Sequence, residues 1–163
     1  MLFRSRYYVS FIDDYTRFTW VFLMKQKSDF LTVYTNFRAL VKTQHSATIK
    51  CFRSDLGGEY TSNDFLNLLA SDGTIHQSSC TDTPQQNGLA ERKHRHIVET
   101  ARSLLLSASV PKEFWGEAFL TAVYIINRIP ISQNLGLSPF EKLYGTPPNY
   151  SLLRVFGCVC FVL

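Results

Sequence analysis

The chain has 163 residues, 45% hydrophobic and 14% aromatic, which supports a folded core and argues against a disordered chain. Its net charge of +4 leans mildly toward an anionic partner and falls short of a dedicated DNA-binding module. The opening "MLFRSRYYVSFIDD" lacks the apolar run of a signal peptide. The most apolar helical stretch, 114–129, is broken by Glu117, Asn127 and Arg128, so no membrane span is expected.

In chain order, "RYYVSFI" and "FTWVFLM" read as two β-strands of a hairpin. "SDFLTVYTNFRALVKTQ" spaces Phe30, Val33, Phe37, Leu40 and Val41 at helical intervals, with Ser28 as the expected N-cap. "TIKCFRS" is a short strand ending at the glycine turn "DLGGEY". "SNDFLNLLAS" is a short helix and "TIHQSSC" another strand. Thr83, Pro84 and Gln86 fit a capping box with proline at the first helical position. Gly88 weakens that start by about 1 kcal/mol, so "QQNG" is expected to be a loop before the helix "LAERKHRHIVETARSLLLSA". A mostly apolar helix, "PKEFWGEAFLTAVYIINRI", stops at Pro130. "SPFEKLYG" is a short helix with Ser138 as cap, Pro139 first, Glu141 third and Gly145 as stop. "RVFGCVCFVL" reads as a last strand.

Cys51, Cys80, Cys158 and Cys160 form no CxxC pair, and no histidine pair has zinc-finger spacing. Reduced thiols and an intracellular protein are expected, with Cys158 and Cys160 on one buried strand face. Phe18, Trp20 and Phe22 alternate on one face of the second strand and are expected to pack in the core. His76 is expected to be structural.

Two acids stand out. Asp55 ends a predicted strand, Glu91 lies near the start of a long helix, and 35 residues separate them. Taken singly, an Asp before Gly-Gly is an ordinary turn residue and an early helical Glu serves the helix dipole. Paired on rigid elements, such hard oxygen donors suit divalent ions acting on phosphodiesters.

The blocks "YYVSFIDDYTRFTWVFLMKQKS", "FRSDLGGEY", "CTDTPQQNGLAERKHRHIVETARSLL", "PKEFWGEAFLTAVYIINRIP" and "SPFEKLYGTPPNYSLLRVFGCVCFV" resemble, in order and over nearly the whole chain, the integrase catalytic core of copia-type LTR retrotransposon polyproteins. The resemblance implies an α/β, RNase H-like fold, a mixed five-stranded sheet with helices on both faces. It implies an integrase core-like domain over 1–130 and a C-terminal extension over 131–163. It further implies DNA integration by end trimming and strand transfer with Mg²⁺ or Mn²⁺, DNA as partner, a homodimer, and a nuclear location for work on chromosomal DNA. Asp55 and Glu91 carry over as the second and third acids of an Asp-Asp-Glu set, both catalytic and metal-binding.

The family's first acid lies in a block before the "FIDD" strand, and only residues 1–6 precede "YYVSFIDD" here. A core without its first central strand, a fragment of a longer polyprotein, and weakened catalysis are therefore expected. Asp13 and Asp14 are read as turn acids. At about 100° per residue, Glu91, Arg95, Val98 and Arg102 share one helix face, while Ile97, Ala101, Leu104, Leu105 and Ala108 form the buried side. The resemblance makes the first face DNA-binding, with Asn87 and Gly88 in the loop before it, and Arg92 and Lys93 reaching target DNA or water. The plainer reading pairs Arg95 with Glu91 and Glu99 along the helix. Phe114, Trp115 and Phe119 lie on the apolar helix, where core packing explains most of them, and the resemblance offers a dimer interface for Trp115 and Phe119. The alternative function is a non-catalytic nucleic-acid-binding or dimerising remnant.

Overall fold

The computed structural model describes residues 5–78 and 88–159. Strands β1 (Tyr7–Ile12) and β2 (Thr19–Met24) form one two-stranded sheet. The bonds Arg6 N–H to Met24 O and Asp13 N–H to Phe18 O make it antiparallel. Helix α1 (Phe30–His45) follows, then β3 (Cys51–Ser54), α2 (Gly58–Thr61), α3 (Asn63–Ser71) and β4 (Ile75–Ser78). β3 and β4 pair in parallel, with Phe52 opposite His76 and Arg53 opposite Gln77. Next come α4 (Gly88–Ser107), α5 (Trp115–Ile126) and α6 (Pro139–Tyr144). None of the described helices is long and apolar enough to cross a membrane.

The described residues fall into two packed units, 5–9 with 22–78 and 88–91, and 10–21 with 92–159. In the first, α1 turns Phe30, Tyr34 and Phe37 inward, and α3 adds Phe65 and Leu69. Rings of Phe30, Tyr34, Phe52 and Phe65 meet edge-on or tilted, with Tyr34 at 5.3 Å and Phe65 at 5.2 Å from Phe52. Phe22 closes on Phe37 at 5.9 Å.

In the second unit the core comes from Phe18, Ile97, Ala101 and the inner face of α5, Ala118, Phe119, Ala122, Val123 and Ile126. Buried amides hold the β1–β2 turn. Asn127 accepts from Thr19 N–H at 2.9 Å and donates to Thr19 O at 2.8 Å. Asn134 donates to Thr16 O at 2.8 Å.

Several expectations change. Ser28 is not the cap of α1; its hydroxyl donates to Gln26 at 3.3 Å, and the Asp29 carboxylate accepts the N–H groups of Lys25 and Gln26 instead. Those two N–H groups lie before the helix, where Ser28 sits inside the 3-10 turn Lys27–Asp29, and the Asp29 side chain caps none of α1's own first-turn N–H groups. Residues 154–159 form no strand: they turn at Cys158 N–H to Val155 O, with Gly157 at φ +79° and Val155 and Val159 largely exposed. Cys158, expected on a buried face, is exposed, as is Cys51. Phe119 is core, and α5 turns Leu120 and Tyr124 outward instead. The capping box at 83–86, Cys80 and Cys160 lie outside the described residues. α6 is as expected: Ser138 accepts from Glu141 N–H at 3.1 Å, Pro139 is first, and Gly145 closes the helix at φ +71°.

Replacing Asn127 with Ala leaves both polar groups of Thr19 buried without their partner, and is expected to cost about 2–4 kcal/mol in urea unfolding. Burial pushes the fully enclosed Tyr34 phenol up to about 12 from 10.0, against a hydrogen bond with Thr74 that favours its ionised form. The unfolded chain therefore ionises first. Stability is whole below pH 10.0 and falls as pH rises through about 12, by up to roughly 2–3 kcal/mol. Urea unfolding across that range should show a smaller decline in Tyr34→Phe.

Candidate functional site

The acid Asp55 follows β3 directly and is exposed. Alternation along β3 sends Phe52 and Ser54 inward and Arg53 outward. Phe52 anchors the strand in the aromatic cluster. The nearly buried Ser54 hydroxyl donates to the Asp55 carbonyl at 3.1 Å and lies 2.9 Å from His76 Nε2. His76 packs its ring 6.1 Å from Phe52 and 6.2 Å from Phe65, which bears out its structural reading. Asp55 Oδ1 accepts Gly57 N–H at 3.0 Å, so one carboxylate oxygen is oriented by backbone. A Cβ on Gly57 would stand 3.1 Å from that same Oδ1 and 3.1 Å from the Tyr60 ring; only glycine leaves the carboxylate undisturbed. Burial, then the charges of Glu59 and Asp55, push the Tyr60 phenol up to about 12.

Glu91 sits in the first turn of α4 and is exposed, as are Arg92, Arg95 and Arg102. Among the described residues no ion pair joins Arg95 to Glu91 or Glu99; the ion pairs are Arg17 with Asp14 and Arg38 with Asp72. The pairing expected of a plain surface helix is absent there. Gly88 is the first helical residue of α4, not part of a loop, and Asn87 lies outside the described residues.

Lys93 does not share the open face. It precedes the buried Ile97 by four residues and Ala101 by eight, on the helix's inner stripe. Burial, then the charge of Arg17, lowers its pKa. The i,i+4 step to Ile97 was the signal available in the sequence. Asp13 and Asp14 are turn acids, as expected. Asp13 Oδ2 accepts Thr16 N–H at 2.8 Å and its hydroxyl at 2.6 Å, and Asp14 pairs with Arg17 at 2.5 Å.

Asp55 and Glu91 are hard oxygen donors with no cation holding either among the described residues, a donor chemistry that fits Mg²⁺ or Mn²⁺. No set of three or more His, Cys, Asp or Glu side chains is gathered for a metal among the described residues.

The fold is RNase H-like, of the kind seen in retroviral integrase cores. The catalytic core domain of HTLV-2 integrase in complex with magnesium (trimeric form) superposes with a TM-score of 0.62 at 17% identity, over 82% of this chain and 81% of that one. The simian T-cell lymphotropic virus intasome in complex with PP2A regulatory subunit B56 gamma gives a TM-score of 0.67 at 16% identity, over 91% of this chain and 50% of that one. Residues 3–84 match the family described as Integrase core domain. The "Retrovirus-related Pol polyprotein from transposon RE1" of Arabidopsis thaliana is 47% identical over 156 residues, 96% of this chain and 10% of that protein. The corresponding polyprotein from transposon TNT 1-94 of Nicotiana tabacum is 45% identical over 158 residues, 96% of this chain and 12% of that protein. The chain belongs to the integrase core domain family and spans about a tenth of the length of these curated retrotransposon Pol polyproteins.

The link from His76 through Ser54 to Asp55 is expected to carry the stability of this strand end. His76→Ala should cost about 1–3 kcal/mol in urea unfolding, by removing ring contacts and a partner of a nearly buried hydroxyl.

Proposed function

We propose that this chain is the catalytic-core portion of a retrotransposon integrase, acting in DNA integration by metal-dependent polynucleotidyl transfer on chromosomal DNA in the nucleus. The observation that carries the reading is Asp55: an exposed carboxylate at the end of an anchored parallel strand, oriented by Gly57 N–H and held by no cation among the described residues. It stands in a chain whose family is described as Integrase core domain.

In this reading Asp55 and Glu91 hold Mg²⁺ or Mn²⁺, which supplies Lewis-acid polarisation of a phosphoryl oxygen. The magnesium of the HTLV-2 core domain supports the choice of ion. Gly57 N–H orients the Asp55 carboxylate, and the Ser54 hydroxyl holds the Asp55 backbone carbonyl. Arg95 and Arg102 lie on the Glu91 face of α4 with no carboxylate partner among the described residues, and they take DNA phosphates there. Arg92 extends the same exposed cationic surface. A second copy of the chain is the expected protein partner, in line with the dimeric form of the HTLV-2 core domain.

A second reading is a DNA-binding remnant without chemistry. It is favoured by the two-acid set, because the described residues gather no third metal-binding side chain, and Asp13 and Asp14 are engaged in their own turn. Losing one member of a cooperating set removes most of its catalysis.

The test is a Mn²⁺-dependent strand-transfer and disintegration assay on branched DNA, with wild type beside Asp55→Asn and Glu91→Gln. Product from wild type that drops by a factor of about 100 or more in either variant is the expected result for the enzyme reading. DNA binding with no product in all three proteins assigns the chain to the remnant.

A further inference from the structure

The outward face of the β3–β4 pair holds a group that the acids do not explain. Alternation along β3 puts Arg53 on the same side as Asp55, two residues earlier, about 7 Å along the strand. The parallel register sets Arg53 opposite Gln77. Both Nε and Nη2 of Arg53 donate to Gln77 Oε1, at 3.2 and 3.0 Å. Both residues are exposed, and among the described residues no carboxylate pairs with Arg53.

This arrangement has a definite chemistry. A guanidinium offers only donors. The one acceptor of the Gln77 amide is already taken by Arg53, so what the pair still presents is N–H groups from both side chains. An array of donors with a fixed positive charge calls for an anionic, oxygen-rich ligand. The two hydrogen bonds to Gln77 also restrain an exposed arginine, which lowers the ordering cost on binding. The surroundings are an open trough lined, among the described residues, by Arg53, His76, Gln77 and Ser78. Its polar lining and openness suit a strand passing through rather than an enclosed apolar small molecule.

We propose that Arg53, held by Gln77, is a backbone-phosphate contact for the DNA strand whose reacting phosphate lies at Asp55. The contact is to the phosphate next along that strand and is independent of base sequence. It rests on the DNA-integration reading and adds to it a binding element on the sheet, apart from the cations of α4.

The experiment is a fluorescence-anisotropy titration of a labelled DNA duplex with the chain, repeated between about 50 and 200 mM salt. R53Q is expected to bind about 3- to 10-fold more weakly and to lower the slope of log affinity against log salt by about 1. Q77A keeps the charge and releases the guanidinium, so it should weaken binding with the slope unchanged. R53K keeps the charge without the two-bond clamp and should also keep the slope; it controls for any misfolding of R53Q. K42Q, on an exposed position of α1, removes one positive charge elsewhere and should bind as wild type does. Inorganic phosphate at concentrations that leave ionic strength constant should not displace the duplex, because the contact is to one phosphate of an extended strand. Displacement by phosphate alone would reduce the site to a simple anion site and overturn the proposal. R53Q with wild-type affinity and slope, or K42Q as weak as R53Q, overturns the assignment of Arg53 while leaving the DNA reading intact. No duplex binding by the wild-type chain overturns both.

Discussion

Phe52 is the residue on which the acidic end of β3 depends. Its ring touches Tyr34 and Phe65 closely, and Phe30, Tyr60 and His76 at 6.1 to 6.5 Å. A four-residue strand paired with one other strand has too few backbone bonds to hold a position by itself. The aromatic cluster supplies what the short ladder lacks. Because side chains alternate, fixing Phe52 inward also fixes Arg53 and Asp55 outward. The same cluster seats His76, which meets the Ser54 hydroxyl, so the placement of Asp55 rests on ring packing one residue row away.

In the second unit the corresponding role falls to polar groups. In the turn between β1 and β2, Thr16 donates to Asp13 and Arg17 donates to Asp14, and the buried amides of Asn127 and Asn134 seize its backbone. Buried amides are costly unless their donors and acceptors are met; here the backbone of Thr19 meets Asn127, and Thr16 O and the Lys142 ammonium meet Asn134. The consequence for function is subtractive. Acids committed to a turn are poor metal ligands, which leaves Asp55 and Glu91 as the candidates for the proposed metal site.

Much of this was readable in the residues. The hairpin, α1, α3, β4 and α5 follow from apolar spacing. α6 follows from one tetrad of residues, Ser138, Pro139, Glu141 and Gly145, whose preferences all agree. Other features depended on surroundings that the local sequence does not show. Ser28 falls inside a short 3-10 turn, Lys27–Asp29, so the position before α1 is Asp29 instead. "RVFGCVCFV" has the composition of a strand, but residues 154–159 find no neighbouring strand and turn at Gly157 instead. Lys93 looked like part of a cationic run, although its spacing to Ile97 already put it on the inner stripe.

By itself the sequence determined most of the element order and the family, and it singled out two carboxylates as candidates, because periodicity, capping and motif spacing are local properties written residue by residue. Only the tertiary structure decided which cations remain open and which are spent. It put Lys93 beside Arg17 on a buried stripe, left Arg95 without an acid among the described residues, and clamped Arg53 to Gln77 across a parallel register. The physical reason is that charge in a protein acts through its surroundings: burial, a neighbouring charge or a hydrogen-bond partner many residues away in sequence sets what an ionisable side chain can still bind.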